Sequence, residues 1–246
     1  MQPNSIQGTF IVATVLCVFC SLLVAGTAEF LKEDIENNEQ LYFNKNVLLA
    51  AGLCEPNVSS AEVEKLFEER IRAEDIALPA PEGVEPEAGG LVPVEPPNAL
   101  MGVRDRPASR TVYRVLGEGS EETVGYIFPI EGKGLWSTLK GFLAIESDGQ
   151  TVMGITFYAH KETPGLGGEV GNSSWKAKWK GKQMYDAAGD VDLDVIKGTA
   201  SNDYEIDGLS GATITSNGVD GMMAYWFGEQ GYGPWLKEQT AGAKKS

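Results

Sequence analysis

Histidine and cysteine are almost missing from this chain of 246 residues: His160 stands alone, and the cysteines are Cys17, Cys20 and Cys54. A single imidazole excludes a His-rich metal centre and supports no Ser-His-Asp or Cys-His arrangement. Three thiols exclude a disulfide framework, and their spacing suits neither a zinc site nor an iron–sulfur cluster. Positive charge is also scarce, with 20 Lys and Arg against 35 Asp and Glu, a net charge of −15. Phosphate backbones need clustered cations, so the balance argues against nucleic acid as a partner. No G-x-G-x-x-G opens a helix after a strand and no G-x-x-x-x-G-K-[ST] occurs, so classical dinucleotide and nucleoside-triphosphate sites are unsupported. Carboxylates are plentiful, but none is marked as a catalytic pair, and no metal ligand is assigned.

What is present is enough apolar material, 42% of residues, for one packed domain and a smaller appendage. The run from Phe10 to Ala28 carries no charge. It is about as long as a bilayer-crossing helix, which needs roughly 20 apolar residues. A cleaved signal peptide is the competing reading, and Ala25-Gly26-Thr27-Ala28 resembles a cleavage site. The preceding residues contain no Lys or Arg, however, and the apolar core is long for a signal. A retained anchor is therefore expected. Lys32 is flanked by Glu33 and Asp34, so charge does not set its orientation. Cys17 and Cys20 share a helix face; a redox or metal pair is conceivable there, but two small residues at a helix contact is the expected role.

Residues 1–9 form a tail and 10–28 the span, followed by a helical membrane-proximal region over 29–77. Ser59-Ser60-Ala61-Glu62 resembles a capping box for a helix from about Ser60 to Arg72. Residues 78–98, rich in Pro, Glu and Gly, read as an exposed linker or long loop. The main domain is assigned to 99–246. TVYRVL, TVGYIFPI, TLKGFLAIE and TVMGITFYA have strand patterns, with turns at Glu118-Gly119-Ser120, Glu131-Gly132-Lys133-Gly134 and Ser147-Asp148-Gly149-Gln150. A Gly-rich loop over His160–Gly171, a short helix near Ser174–Lys180, a strand at Asp194–Lys197 and a closing helix over Asn217–Gly228 follow. The fold class is α+β: one transmembrane helix, then a mainly antiparallel sheet with flanking helices. Trp136, Trp175, Trp179 and Trp226 read as core residues, Cys54 as a packed thiol, and His160 as an exposed loop residue.

The segment from Asp207 to Asn217 is the most informative. Its glycines let backbone approach a ligand closely, and its hydroxyls precede a helix whose first amides suit a phosphate. The same residues also suit a turn with Ser216 or Asn217 as helix cap. Asp207 to Thr213 matches D-x-x-[ST]-G-A-[ST], a pattern at which FMN is joined to threonine. With Glu162-Thr163-Pro164-Gly165-Leu166-Gly167, Asn46 to Leu53 and Gly134-Leu135-Trp136, the chain resembles the single-helix, covalent-FMN subunit of the sodium-translocating NADH:quinone oxidoreductases.

That resemblance implies an FMN-binding domain with FMN on Thr213 through a phosphoester, installed by a flavin transferase that uses FAD. Asp207 then serves the transferase or holds the loop. Glu162, Thr163, Gly165, Leu166 and Gly167 are expected to meet the flavin ring, with exposed amides on Gly165 and Gly167 and Leu166 packed on a ring face. Ser210, Gly211 and Ala212 flank the attachment point. The chain would carry electrons within a membrane complex that couples quinone reduction to sodium export, with NADH entering elsewhere in the complex. The implied partners are the other membrane subunits, the transferase and lipid. The implied location is the bacterial inner membrane, with the flavin domain on the periplasmic side. Two alternatives stay open: an FMN carrier like the related one of the Rnf electron-transport complex, and a tethered scaffold domain that binds a phosphate-bearing ligand.

Overall fold

The computed structural model describes residues 5–81, 83–85, 90–94 and 105–243. The chain divides into two units, 1–42 and 43–246. The first is built on helix α1 (Ile6–Ala50). Ser5 starts it by accepting the Gly8 amide at 3.1 Å. Phe10, Val12, Leu16, Phe19, Leu22 and Val24 are all exposed, so this stretch is no buried core helix. The Thr27 hydroxyl donates to the Leu23 and Val24 carbonyls, which satisfies it without water as a lipid environment demands. Among the described residues this is the one helix long and apolar enough to cross a membrane.

The second unit takes in the last turns of α1. Gly52 ends the helix with φ +66°, and the Leu53 amide reaches back to the Leu48 carbonyl at 3.0 Å. Helix α2 (Ser60–Arg70) is capped by the Ser59 hydroxyl, which accepts the Glu62 amide, as the capping box predicts. It stops two residues early. Ile71–Ala77 is strand β1, so the region 29–77 is not helical throughout. Ile71 and Ile76 are buried there, and pairing with β4 overrides the weak helical pattern. The described part of 78–98 is also not all exposed loop. Leu78, Val92 and Val94 are buried, and β2 (Leu91–Pro93) pairs with β3 (Asp105–Pro107). Residues 82, 86–89 and 95–98 of that stretch, and 99–104 of the expected domain start, lie outside the described residues.

Strands β4 (Ser109–Leu116), β5 (Thr123–Lys133), β6 (Thr138–Glu146) and β7 (Val152–Ala159) join β1 in a five-stranded antiparallel sheet of order β1-β4-β5-β6-β7. Because β5 runs through Lys133, the expected turn at 131–134 moves to Gly134–Ser137, closed by the Gly134 amide on the Ser137 carbonyl at 2.8 Å. Next come helix α3 (Ser173–Lys176), strands β8 (Asp194–Ile196) and β9 (Glu205–Asp207) paired in parallel, then helices α4 (Thr213–Trp226) and α5 (Gly233–Ala243). Both faces of the sheet are covered, which explains the nearly continuous apolar runs of β5 and β6. On one face Phe43 packs edge-on against Phe142 at 5.0 Å. On the other, Phe128 meets Phe227 and Tyr232 at 5.4 and 4.8 Å. Arg106 is fully buried and ties this core together: its Nε donates to the Tyr225 hydroxyl at 2.7 Å and its guanidinium also reaches the Pro79 carbonyl.

Candidate functional site

Helix α4 begins at Thr213, four residues ahead of the expected start at Asn217. Gly211, at φ +71°, turns the chain, and Ala212 stands at the cap position with no side-chain hydrogen bond to the helix. Ser216 is no cap: its hydroxyl accepts the Leu209 amide at 2.9 Å and ties the preceding loop down. Thr215 is 1% exposed and donates to a Glu162 carboxylate oxygen at 2.8 Å. Two of the four hydroxyls in this segment are thus engaged in the interior. Thr213 and Ser210 remain exposed.

A cleft of about 430 Å³ opens here, lined by Lys197, Gly198, Thr199, Ser210, Gly211 and Thr213 among others. Gly198 takes φ +113° in its wall. Gly208 lies so close to strand β8 that a Cβ there would sit 2.5 Å from the Ile196 carbonyl oxygen. Asp207 braces this wall. One carboxylate oxygen accepts the Ala200 amide at 2.6 Å, the other pairs with Lys178, and the Asp207 carbonyl accepts the Trp175 indole at 2.8 Å. The Ala200 amide and then Lys178 hold its carboxyl below the usual range.

Glu162 organises a second surface. It is 6% exposed, and its two oxygens accept the amides of Leu135, Trp136 and Ser137 at 3.1, 2.9 and 3.2 Å besides the Thr215 hydroxyl. Burial pushes this carboxyl up, but the four donors together outweigh it and hold the group below the ordinary carboxylate range. Glycine is required around it. A Cβ on Gly134 or Gly167 would come within 2.5 or 2.6 Å of a carboxylate oxygen, and one on Gly218 within 1.9 Å of the Lys133 carbonyl oxygen.

The remaining expected site residues are distributed unevenly. Thr163, Gly165 and Leu166 are exposed, and Leu166 approaches Gly211, where a Cβ would lie 3.0 Å from its Cδ2. The Gly165 amide is not free, since it donates to the Glu169 carboxylate at 3.2 Å, and Gly167 is buried. The Glu162 carboxylate faces inward to its four donors. Ala212 packs in the core. Trp175, Trp179 and Trp226 are buried as expected, but Trp136 is 70% exposed, because its turn projects beyond the sheet. Leu135, Trp136, Leu166 and Ile214 leave a large apolar surface uncovered around the three segments that meet at Glu162. Cys54 and His160 are each half-buried. Sequence reasoning misses Lys197, Gly198 and Thr199; a glycine between a cation and a hydroxyl is the one signal that marks them. Among the described residues no group of His, Cys, Asp and Glu could hold a metal.

The FMN-binding domain family matches residues 134–228, which span β6, β7 and the whole of this site. The NqrC-type subunit of the Na(+)-translocating NADH-quinone reductase of Yersinia pestis is 38% identical over 99% of this chain and 96% of its own length. The chain therefore belongs to the NqrC family of Na(+)-translocating NADH-quinone reductase subunits. The family member of Pseudomonas aeruginosa is 40% identical, covering 98% of both chains. Among solved structures, Shewanella oneidensis NqrC aligns over 83% of this chain and 98% of its own, with a TM-score of 0.72 and 26% identity. The corresponding reductase subunit of Parabacteroides distasonis aligns over 84% of this chain and 96% of its own, with a TM-score of 0.62 and 29% identity. This membership favours the sodium-translocating reductase over the Rnf-type carrier and over a scaffold domain.

Proposed function

We propose that Thr213 carries the FMN of this protein, through a phosphoester to its side-chain oxygen. The coarser statement follows from the family: the chain is an FMN-bearing, membrane-anchored subunit of a Na(+)-translocating NADH-quinone reductase. The observation that carries the finer reading is the sorting of hydroxyls. Thr215 and Ser216 are committed to Glu162 and to the Leu209 amide, whereas Thr213 is exposed at the edge of a cleft of about 430 Å³. That volume lies within the roughly 300–1,000 Å³ of small-molecule and cofactor sites.

The residues suit FMN in two ways. Lys197 and the uncapped start of α4 offer positive charge beside Thr213, where a phosphodiester would retain one negative charge. Leu135, Trp136, Leu166 and Ile214 offer an apolar surface for an aromatic ring, with Leu166 beside Gly211. Ser210 and Gly211 line the approach, and Ala212 anchors it in the core. Glu162 and Gly167 support the ring-side loop from below, while Thr163, Gly165 and Leu166 form its exposed tip. Asp207 holds the cleft wall in place for both the flavin transferase and the bound cofactor. When bound, FMN supplies reversible electron transfer; the protein holds it, excludes water and tunes its potential.

Residues 10–28 anchor the chain, 29–77 link it to the FMN-binding domain, and that domain sits on the periplasmic side of the bacterial inner membrane among the other subunits. Denatured protein in a gel tests the attachment. Wild type and Ser210→Ala should fluoresce as flavoproteins, and Thr213→Ala should be dark. Fluorescence retained in Thr213→Ala, or a dark wild-type band from protein made with the transferase, would overturn the assignment.

A further inference from the structure

Thr215 follows Thr213 by two residues. At about 100° per residue, the two side chains of α4 point roughly 200° apart. Holding Thr215 inward therefore turns Thr213 outward. The inward hold comes from Glu162, whose Oε2 takes the Thr215 hydroxyl and the Leu135 amide, while Oε1 takes the Trp136 and Ser137 amides. The cradle is shaped for a carboxylate: Gly134 and Gly167 have no room for a Cβ beside its oxygens. The hydrogen bonds that hold the charge come from backbone amides and a hydroxyl, with no lysine or arginine among them.

We propose that Glu162 is a positioning residue for the flavin: by accepting the Leu135, Trp136 and Ser137 amides together with the Thr215 hydroxyl, it locks the first turn of α4 to the β5–β6 turn and so sets where Thr213 presents the cofactor. This rests on the reading of Thr213 as the attachment residue. A carboxylate suits the task because all four of its partners are donors, and an amide side chain of the same size can serve only two of them. The lock also fixes a negative charge under the site. Such a charge disfavours added electron density on a nearby ring.

The test uses the full chain, purified with and without covalent flavin, as wild type, Glu162→Gln and Glu162→Asp. In the flavin-free protein, Glu162→Gln should speed amide exchange by about fivefold or more at Leu135–Ser137 and, together with it, at residues 216–219, the size expected for a lost hydrogen bond to a charged acceptor. In the loaded protein its flavin midpoint potential should rise, and Glu162→Asp, which keeps the charge, should stay nearer to wild type. Faster exchange confined to 135–137 with an unchanged potential would reduce Glu162 to a turn fastener and overturn the proposal. Should Glu162→Gln fail to fold, Thr215→Val removes the one hydroxyl donor at nearly constant volume. Its exchange should rise at 216–219, and unchanged exchange there would overturn the lock. A wild type without flavin on Thr213 would defeat the attachment reading by itself, and the flavin-free exchange pattern would still decide whether Glu162 couples the two turns.

Discussion

Glu162 and Asp207 both use a carboxylate to hold backbone amides of a neighbouring loop, yet their surroundings differ. Glu162 is buried, and its hydrogen bonds come from three amides and a hydroxyl. Asp207 is 23% exposed at its side chain, holds one amide and pairs with Lys178. A buried anion with neutral donors depends wholly on those donors, because water cannot replace them. A half-exposed anion has water and a mobile cation in reserve. The surface around Leu135–Ser137 and Thr215 should therefore be rigid and intolerant, and the cleft wall at 197–200 more forgiving.

The largest effect that sharpens this contrast is expected from Glu162→Ala. Four donors lose their acceptor in a closed space, so unfolding free energy should drop by about 3–4 kcal/mol, read from the urea midpoint. Asp207→Asn keeps an acceptor for the Ala200 amide and should lose only about 1 kcal/mol in the same measurement. Equal losses would break the comparison.

Acid should separate the two as well. Both carboxyls sit below their ordinary values in the folded protein. Their contribution is therefore complete above the unfolded carboxylate pKa of about 4 and is lost as pH falls through the lower folded value. The melting temperature should fall between about pH 5 and pH 3, and Glu162→Gln should flatten that slope more than Asp207→Asn does. Lys178→Ala is the smallest change, within about 0.5 kcal/mol, and moderate salt should erase it.

The parts legible in the sequence are those that local pattern dictates. The uncharged run to Ala28, the Ser59 cap of α2 and the strands β4 to β7 declare themselves through hydropathy, capping chemistry and alternation. What stays hidden depends on partners distant in the chain. Ile71–Ala77 reads as a helix tail until β4 pairs with it. Trp136 reads as core because nothing local says that its turn projects outward. The glutamate of the 162–168 loop reads as a ligand contact, yet its partners lie 25 to 53 residues away in sequence, at Ser137 and Thr215. The start of α4 reads too late because Thr and Ser there look like caps, whereas the positive φ of Gly211 turns the chain sooner and the helix begins four residues earlier.

Mass spectrometry of proteolytic peptides from the transferase-matured chain tests the central claim most directly. The account predicts one added FMN, localised by fragmentation to Thr213 in the peptide that also contains Ser210, Thr215 and Ser216. FMN localised to Ser210, Thr215 or Ser216, or a Thr213 peptide of unmodified mass from a chain that carries covalent flavin, would contradict it.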